Sequence, residues 1–275
     1  MGDEDEDVAV DHSHDGDGGD FVNKIFTGRS GDRPIDHGVP PCPFTLKFQE
    51  PLNGWDFIDA TCFNVRGKSY LTDKKKFPSR PSGFQLCEFT GFALSEKCKF
   101  SSERPDSYYN RSRAVGRKNF VFVMHFDLNP VHAALCFELN DDTMRNDPGF
   151  ATCWSRFLQG DDAYKSKRIK LITSVVEASW FVRKVLGKPV PALIGNKLKC
   201  HWRQTDDLLE CTCDVASSIA AATILQVVRS YCKHIVCDLV LLIEGQEEDE
   251  LPERIIGGAR VLHHDMREYV WADKS

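Results

Sequence analysis

Residues 217–245 read SSIAAATILQVVRSYCKHIVCDLVLLIEG, and how this stretch divides decides the fold. Ser217 or Ser218 can cap a helix, and Gly245 can end one. Ala221, Ile224, Leu225, Val228, Cys232, Ile235, Val236, Leu239, Leu242 and Ile243 fall on one face at helical spacing. Gln226, Arg229, Ser230, Lys233 and Glu244 fall on the other. The spacing predicts one helix over residues 217–244, about 28 residues and roughly 42 Å long at about 1.5 Å per residue. Such a rod crosses a whole sheet.

The neighbouring segments supply strands. In residues 197–203, Leu198, Cys200 and Trp202 alternate with Lys197, Lys199, His201 and Arg203. In residues 208–215, Leu209, Cys211, Cys213 and Val215 alternate with Glu210, Thr212 and Asp214. Period two predicts a hairpin with one buried and one wet face, His201 opposite Glu210 and Lys197 opposite Asp214. Upstream, residues 57–65 and 84–94 read as strands, and 119–128 with 132–139 as a hairpin around Asn129-Pro130. Residues 103–118 read as a basic loop. Residues 150–158 predict a short helix ending at Gly160, 165–172 a strand, 179–186 a helix, and 254–262 a closing strand. The fold class expected is α+β, a curved antiparallel sheet packed around the 217–244 helix. A START-like helix-grip is one form of it, although here a strand follows the long helix.

Composition narrows the function. The chain has 275 residues and a net charge of −6, so charge alone disfavours nucleic acid as a partner. Much of the negative charge sits in residues 1–20, and residues 1–40 read as a disordered acidic tail and lead-in. One domain is expected over 41–264, with a short tail over 265–275. Eleven scattered cysteines and an acidic start suit free thiols in a reducing, cytoplasmic setting. No apolar run is long enough to span a bilayer.

Catalytic and metal motifs are absent or weak. Cys211 and Cys213 share a strand face and read as core thiols rather than ligands. Cys232 and Cys237 do not converge on a helix, and no Cys/His quartet points to zinc, so no metal or cofactor is expected. Asp161 and Asp162 resemble a paired-carboxylate site, but a capped turn explains them better. His263, His264 and Asp265 read as a solvated tail, as do His12 and His14. No catalytic residue is assigned.

The basic residues are more informative. Arg66, Lys68, Lys74, Lys75, Lys76 and Arg80 fall close together with Tyr70 among them, and Lys165, Lys167, Arg168 and Lys170 form a second group. Clustered cations on a near-neutral domain suit an anionic surface such as phosphoinositide headgroups. Arg66, Lys68, Tyr70, Lys74, Lys75, Lys76, Arg80, Lys165 and Arg168 are therefore the candidate headgroup-binding residues. The acidic tail would compete for the same cations.

Six strings carry a family resemblance: VRGKSYLTDKKK at 65–76, RFLQGDD at 156–162, RIKLI at 168–172, LIGNKL at 193–198, DVASS at 214–218 and EGQEEDELPE at 244–253. In order and spacing the chain resembles the C-terminal domain of the plant Enhanced Disease Resistance 2 family over residues 54–261. In those plant proteins the domain follows pleckstrin-homology and START domains, to which phosphoinositide binding is attributed, and the proteins are peripheral membrane regulators of defence and cell death. Neither upstream domain is expected within these 275 residues. The resemblance brings no catalytic residue with it. The function expected is a non-catalytic lipid- or phosphoinositide-binding regulatory module, cytoplasmic and peripheral to membranes. Its alternatives are a protein-interaction module using the 197–203 face, or an enzyme using Asp161 and Asp162.

Overall fold

In the computed structural model, the deciding stretch is two elements, not one. The structure describes residues 37–96, 98–186 and 191–273. In chain order these form β1 (Lys47–Phe48), β2 (Gly54–Phe57), β3 (Asn64–Arg66), α1 (Tyr70–Asp73), β4 (Lys76–Pro78), β5 (Phe84–Ala93) and α2 (Tyr108–Ala114). There follow β6 (Val121–Asp127), β7 (Val131–Leu139), α3 (Asp141–Asn146), α4 (Pro148–Gln159), α5 (Asp162–Ser166), β8 (Ile169–Glu177) and α6 (Trp180–Leu186). The chain closes with β9 (Ala192–Leu193), β10 (Lys199–Gln204), β11 (Leu208–Asp214), α7 (Ile219–Tyr231), β12 (Val236–Ile243) and β13 (Ile255–Leu262).

The expected 217–244 helix therefore stops at Tyr231. Ser218 caps α7 by accepting from the Ala221 amide. A single 3-10 turn, Cys232–His234, then turns the chain into β12. The reason is burial on two sides. Leu241 and Ile243 face the main core, while Val240 and Leu242 face a second apolar cluster with Val65, Ile172 and Ile255. A strand buried on both faces reads as an unbroken apolar run, and periodicity cannot tell it from a buried helix.

Two sheets face one another. One has the order β10-β11-β6-β7-β5, the other β1-β2-β13-β12-β8-β9. Both are mixed, with parallel pairs at β11–β6 and β1–β2. The main core lies between them. Phe84, Phe89, Phe122 and Phe137 come from the first sheet, Trp55, Ile169, Leu241 and Ile256 from the second, and Phe150, Trp154 and Phe157 from α4. The core residues of the two sheets share one cluster, to which α4 adds its apolar face, and no helix among the described residues spans 217–244. Gly257 marks the contact, since a Cβ there would lie 2.7 Å from the Phe137 ring.

The 199–214 hairpin forms as expected but two residues out of the expected register. Arg203 faces Glu210, and Lys199 faces Asp214. Its second strand has no wet face, because β6 flanks β11 and residues 101–114 cover it. Glu210 is fully buried and accepts from the Ser101 amide and hydroxyl at 2.7 Å each, and from Ser102. Part of the expected 103–118 loop is thus α2, capped by Ser107.

Smaller differences have local causes. The 57–65 strand is interrupted at Asp59, whose carboxylate caps a turn through the Thr61 amide. The 165–172 strand begins only at Ile169, because Asp161 caps α5 first. Strands at 84–93, 121–127, 131–139 and 255–262 and helices at 148–159 and 180–186 agree closely with expectation. Residues 265–273 fold back, with Val270 and Ala272 bonded to Ala93. Residues 1–36, including His12 and His14, lie outside the described residues.

Candidate functional site

The loop after β12, residues 244–253, carries six of the chain's carboxylates and is rich in contacts with basic residues. Its Glu247–Glu250 turn is closed by a capping box. Leucine and acid alternate there with purpose: Leu251 is buried, and Glu250 and Glu253 point inward. Charges turned inward require partners, and four cations supply them.

Arg66 from β3 bonds Glu244 at 3.1 Å and the Gly245 carbonyl at 2.9 Å, and lies 3.7 Å from Glu253. Lys170 from β8 donates to Glu253 at 2.8 Å and Glu244 at 3.0 Å. Arg168 donates to Glu250 at 2.7 Å and to the Glu244 carbonyl at 3.2 Å. Arg156 from α4 grips Asp249 at 2.6 and 2.7 Å. Lys68 adds bonds to the Glu248 and Leu251 carbonyls at 3.1 and 3.0 Å. Burial pushes the Glu250 carboxyl up, but amides of Gln246 and Glu247 and the Arg168 guanidinium outweigh it and hold the group low. Glu244 is likewise held low against burial, chiefly by Lys170. A shallow depression of about 520 Å³ opens on this knot, lined by Arg156, Tyr164, Arg168 and residues 247–250.

This geometry divides the nine candidate headgroup residues. Arg66, Lys68 and Arg168 belong to the knot. Arg80 pairs with Asp147 at 2.6 Å. Lys165 is buried and donates to the Gly160 carbonyl. Each of these charges already has a partner within the molecule: the acidic loop for Arg66, Lys68 and Arg168, Asp147 for Arg80 and the Gly160 carbonyl for Lys165.

Tyr70, Lys74, Lys75 and Lys76 stand apart, on the β3–α1–β4 projection. The Tyr70 ring lies 4.7 Å under the Arg66 guanidinium and 5.6 Å from the Lys74 ammonium. Lys74 takes a left-handed backbone, φ 57°, and closes α1. Lys74, Lys75 and Lys76 are exposed, and so are Leu71 and Phe77, the latter by 53 %. The Phe77 ring sits over Gly67, where a Cβ would come within 2.5 Å. The result is a cationic and apolar tip on a base fixed by the knot.

The remaining candidates resolve simply. Asp161 caps α5 by accepting from the Tyr164 amide at 2.7 Å, as the turn reading expected. Cys211 and Cys213 are buried in the main core, with Cys200 of the facing strand beside them. His264 corrects the expectation of a solvated tail. It is buried, with Nδ1 2.6 Å from the Tyr269 hydroxyl and Nε2 2.8 Å from the Gly54 carbonyl, and burial pulls its pKa down to about 4. The knot itself was missed as a unit. Its only sequence signal was that four of the six family-like strings hold its members.

Residues 55–265 match the family model described as Protein ENHANCED DISEASE RESISTANCE 2, C-terminal. An Arabidopsis thaliana protein named Protein ENHANCED DISEASE RESISTANCE 2-like is 28% identical over 214 residues, covering 78% of this chain and 29% of the relative. The chain thus spans less than a third of that relative's length. No solved structure matches. Among the described residues no helix is long and apolar enough to cross a membrane.

Proposed function

The chain belongs to the Enhanced Disease Resistance 2 C-terminal family, and on that premise we propose that it is a non-catalytic regulatory module that associates peripherally with anionic membranes through the tip at residues 71–77. One observation carries the reading. Lys74, Lys75 and Lys76 are exposed, whereas Arg66, Lys68, Arg80, Lys165 and Arg168 bond carboxylates or carbonyls of the fold, and the three lysines are flanked by exposed Leu71 and Phe77. Each lysine near an anionic leaflet contributes about 1 kcal/mol, so three give roughly 3 kcal/mol before any apolar insertion. The lipid class is one with an exposed anionic headgroup, phosphoinositide or phosphatidylserine. Tyr70 would hold the base of the tip rather than meet lipid.

Flotation with vesicles containing phosphatidylserine or a phosphoinositide tests this. Co-flotation with anionic but not neutral vesicles is expected, and indifference to headgroup charge would contradict it.

A second reading has its own observation. Trp180 and Phe181 on α6 are 74 % and 51 % exposed, and Phe181 packs 5.9 Å from the Tyr231 ring of α7. Such an exposed aromatic pair suits a protein partner. A Trp180→Ala/Phe181→Ala variant that keeps vesicle flotation and loses a partner in pull-down would favour this reading.

A further inference from the structure

Cys200 of β10 stands directly opposite Cys213 of β11, and Cys211 lies two residues earlier on the same face. All three are free thiols. The Cys200 and Cys213 sulfurs are 3.6 Å apart, those of Cys211 and Cys213 are 3.9 Å apart, and all three lie within 4.8 Å of one another. Three sulfurs held at about 2.3 Å from one metal ion sit about 4.0 Å apart in a trigonal plane and about 3.8 Å apart in a tetrahedron. The triad is therefore spaced for shared coordination with little movement of its strands.

The donor set selects the ion. Among the described residues no fourth His, Cys, Asp or Glu joins the group. Structural zinc almost always takes four protein ligands. Met124 of β6 is the register partner of Cys211, so the neighbouring strand adds a thioether rather than a hard donor. Thiolates and thioethers suit copper(I). Access is available from one side, because Cys200 is half-buried on the outermost strand of its sheet while Cys211 and Cys213 are fully buried.

We propose that Cys200, Cys211 and Cys213 form a thiolate site for a soft monovalent d10 ion, copper(I). Binding exchanges thiol protons for the ion and involves no change of oxidation state. The site is independent of the membrane-facing tip.

The test is an anaerobic titration of the reduced full chain with copper(I) against a colorimetric copper(I) chelator. The protein is expected to withhold one equivalent, to gain thiolate-to-copper absorption in the near ultraviolet and to melt at a higher temperature. Cys200→Ser, which alters the half-buried member, should weaken binding roughly tenfold or more. Cys62→Ser, which alters an exposed thiol elsewhere, should not. Failure of the wild-type chain to withhold copper(I) would overturn the site whatever the variants do. So would equal loss in both variants, or retention of zinc(II) but not copper(I) by the same three thiols.

Discussion

Glu253 accepts from Lys170 and from the amides of Arg66 and Gly245, and is almost fully buried. Removing it takes one of two carboxylates from the buried Lys170 ammonium and the acceptor from two amides, and breaking a buried pair in this way typically destabilises by about 3–5 kcal/mol. Glu253→Ala is expected to lower the urea midpoint by an amount in that range, whereas each of Lys74→Ala, Lys75→Ala and Lys76→Ala should stay within about 0.5 kcal/mol of wild type. Equal effects would mean that the knot and the tip are not distinct. Three buried imidazoles, His125, His132 and His264, contribute to the acid response, each with its pKa lowered by burial. Burial lowers the pKa of His125 to about 3 and that of His264 to about 4, against about 6.5 in an unfolded chain. Between pH 6.5 and 4 the unfolded chain binds protons that the folded one refuses, so stability falls as pH drops through that window. Denaturant unfolding from pH 7 to 4.5 should show this decline, and a flat profile would contradict it. At this scale the sequence was legible where the residue acts locally. Asp161 as a cap and Cys211 and Cys213 as core thiols follow from spacing. His264 was not legible, because its burial depends on Gly54 and Tyr269, one of them some two hundred positions away.

The elements show where periodicity runs out. The strand β7 and the capped helix α4 lie within two residues of their expected bounds. β12 is a strand where the spacing predicts helix, and β11 lacks the wet face its alternation predicts. Residues 236–243 continue the helical spacing of α7 because seven of the eight positions there are apolar, Asp238 being the exception, and β11 lost its wet face because a segment a hundred residues earlier folds over it. A buried strand carries no alternation to read. The sheet-on-sheet contact also makes a prediction. Gly257→Ala would press a methyl group into the Phe137 ring, and overpacking of this kind costs typically 1–3 kcal/mol. Thermal unfolding of the variant measures it. No loss of stability would show that the two sheets are not closely apposed at this point.

Across the whole molecule, basic residues serve two purposes that composition cannot separate. Arg66, Arg156, Arg168 and Lys170 pin the 244–253 loop, while Lys74, Lys75 and Lys76 are held outward on the hairpin that Arg66 anchors. The family-like strings mark both groups alike, so only the fold distinguishes an internal clamp from an external contact surface. Exposed charges are screened over about 8 Å at physiological salt, so attraction through the tip should weaken as salt rises while the buried clamp persists. The most direct test compares wild type with a Lys74→Ala/Lys75→Ala/Lys76→Ala variant in flotation with phosphatidylserine-containing vesicles, with melting temperature measured in parallel. The account predicts loss of most vesicle binding at unchanged melting temperature; equal flotation by the two proteins would contradict it.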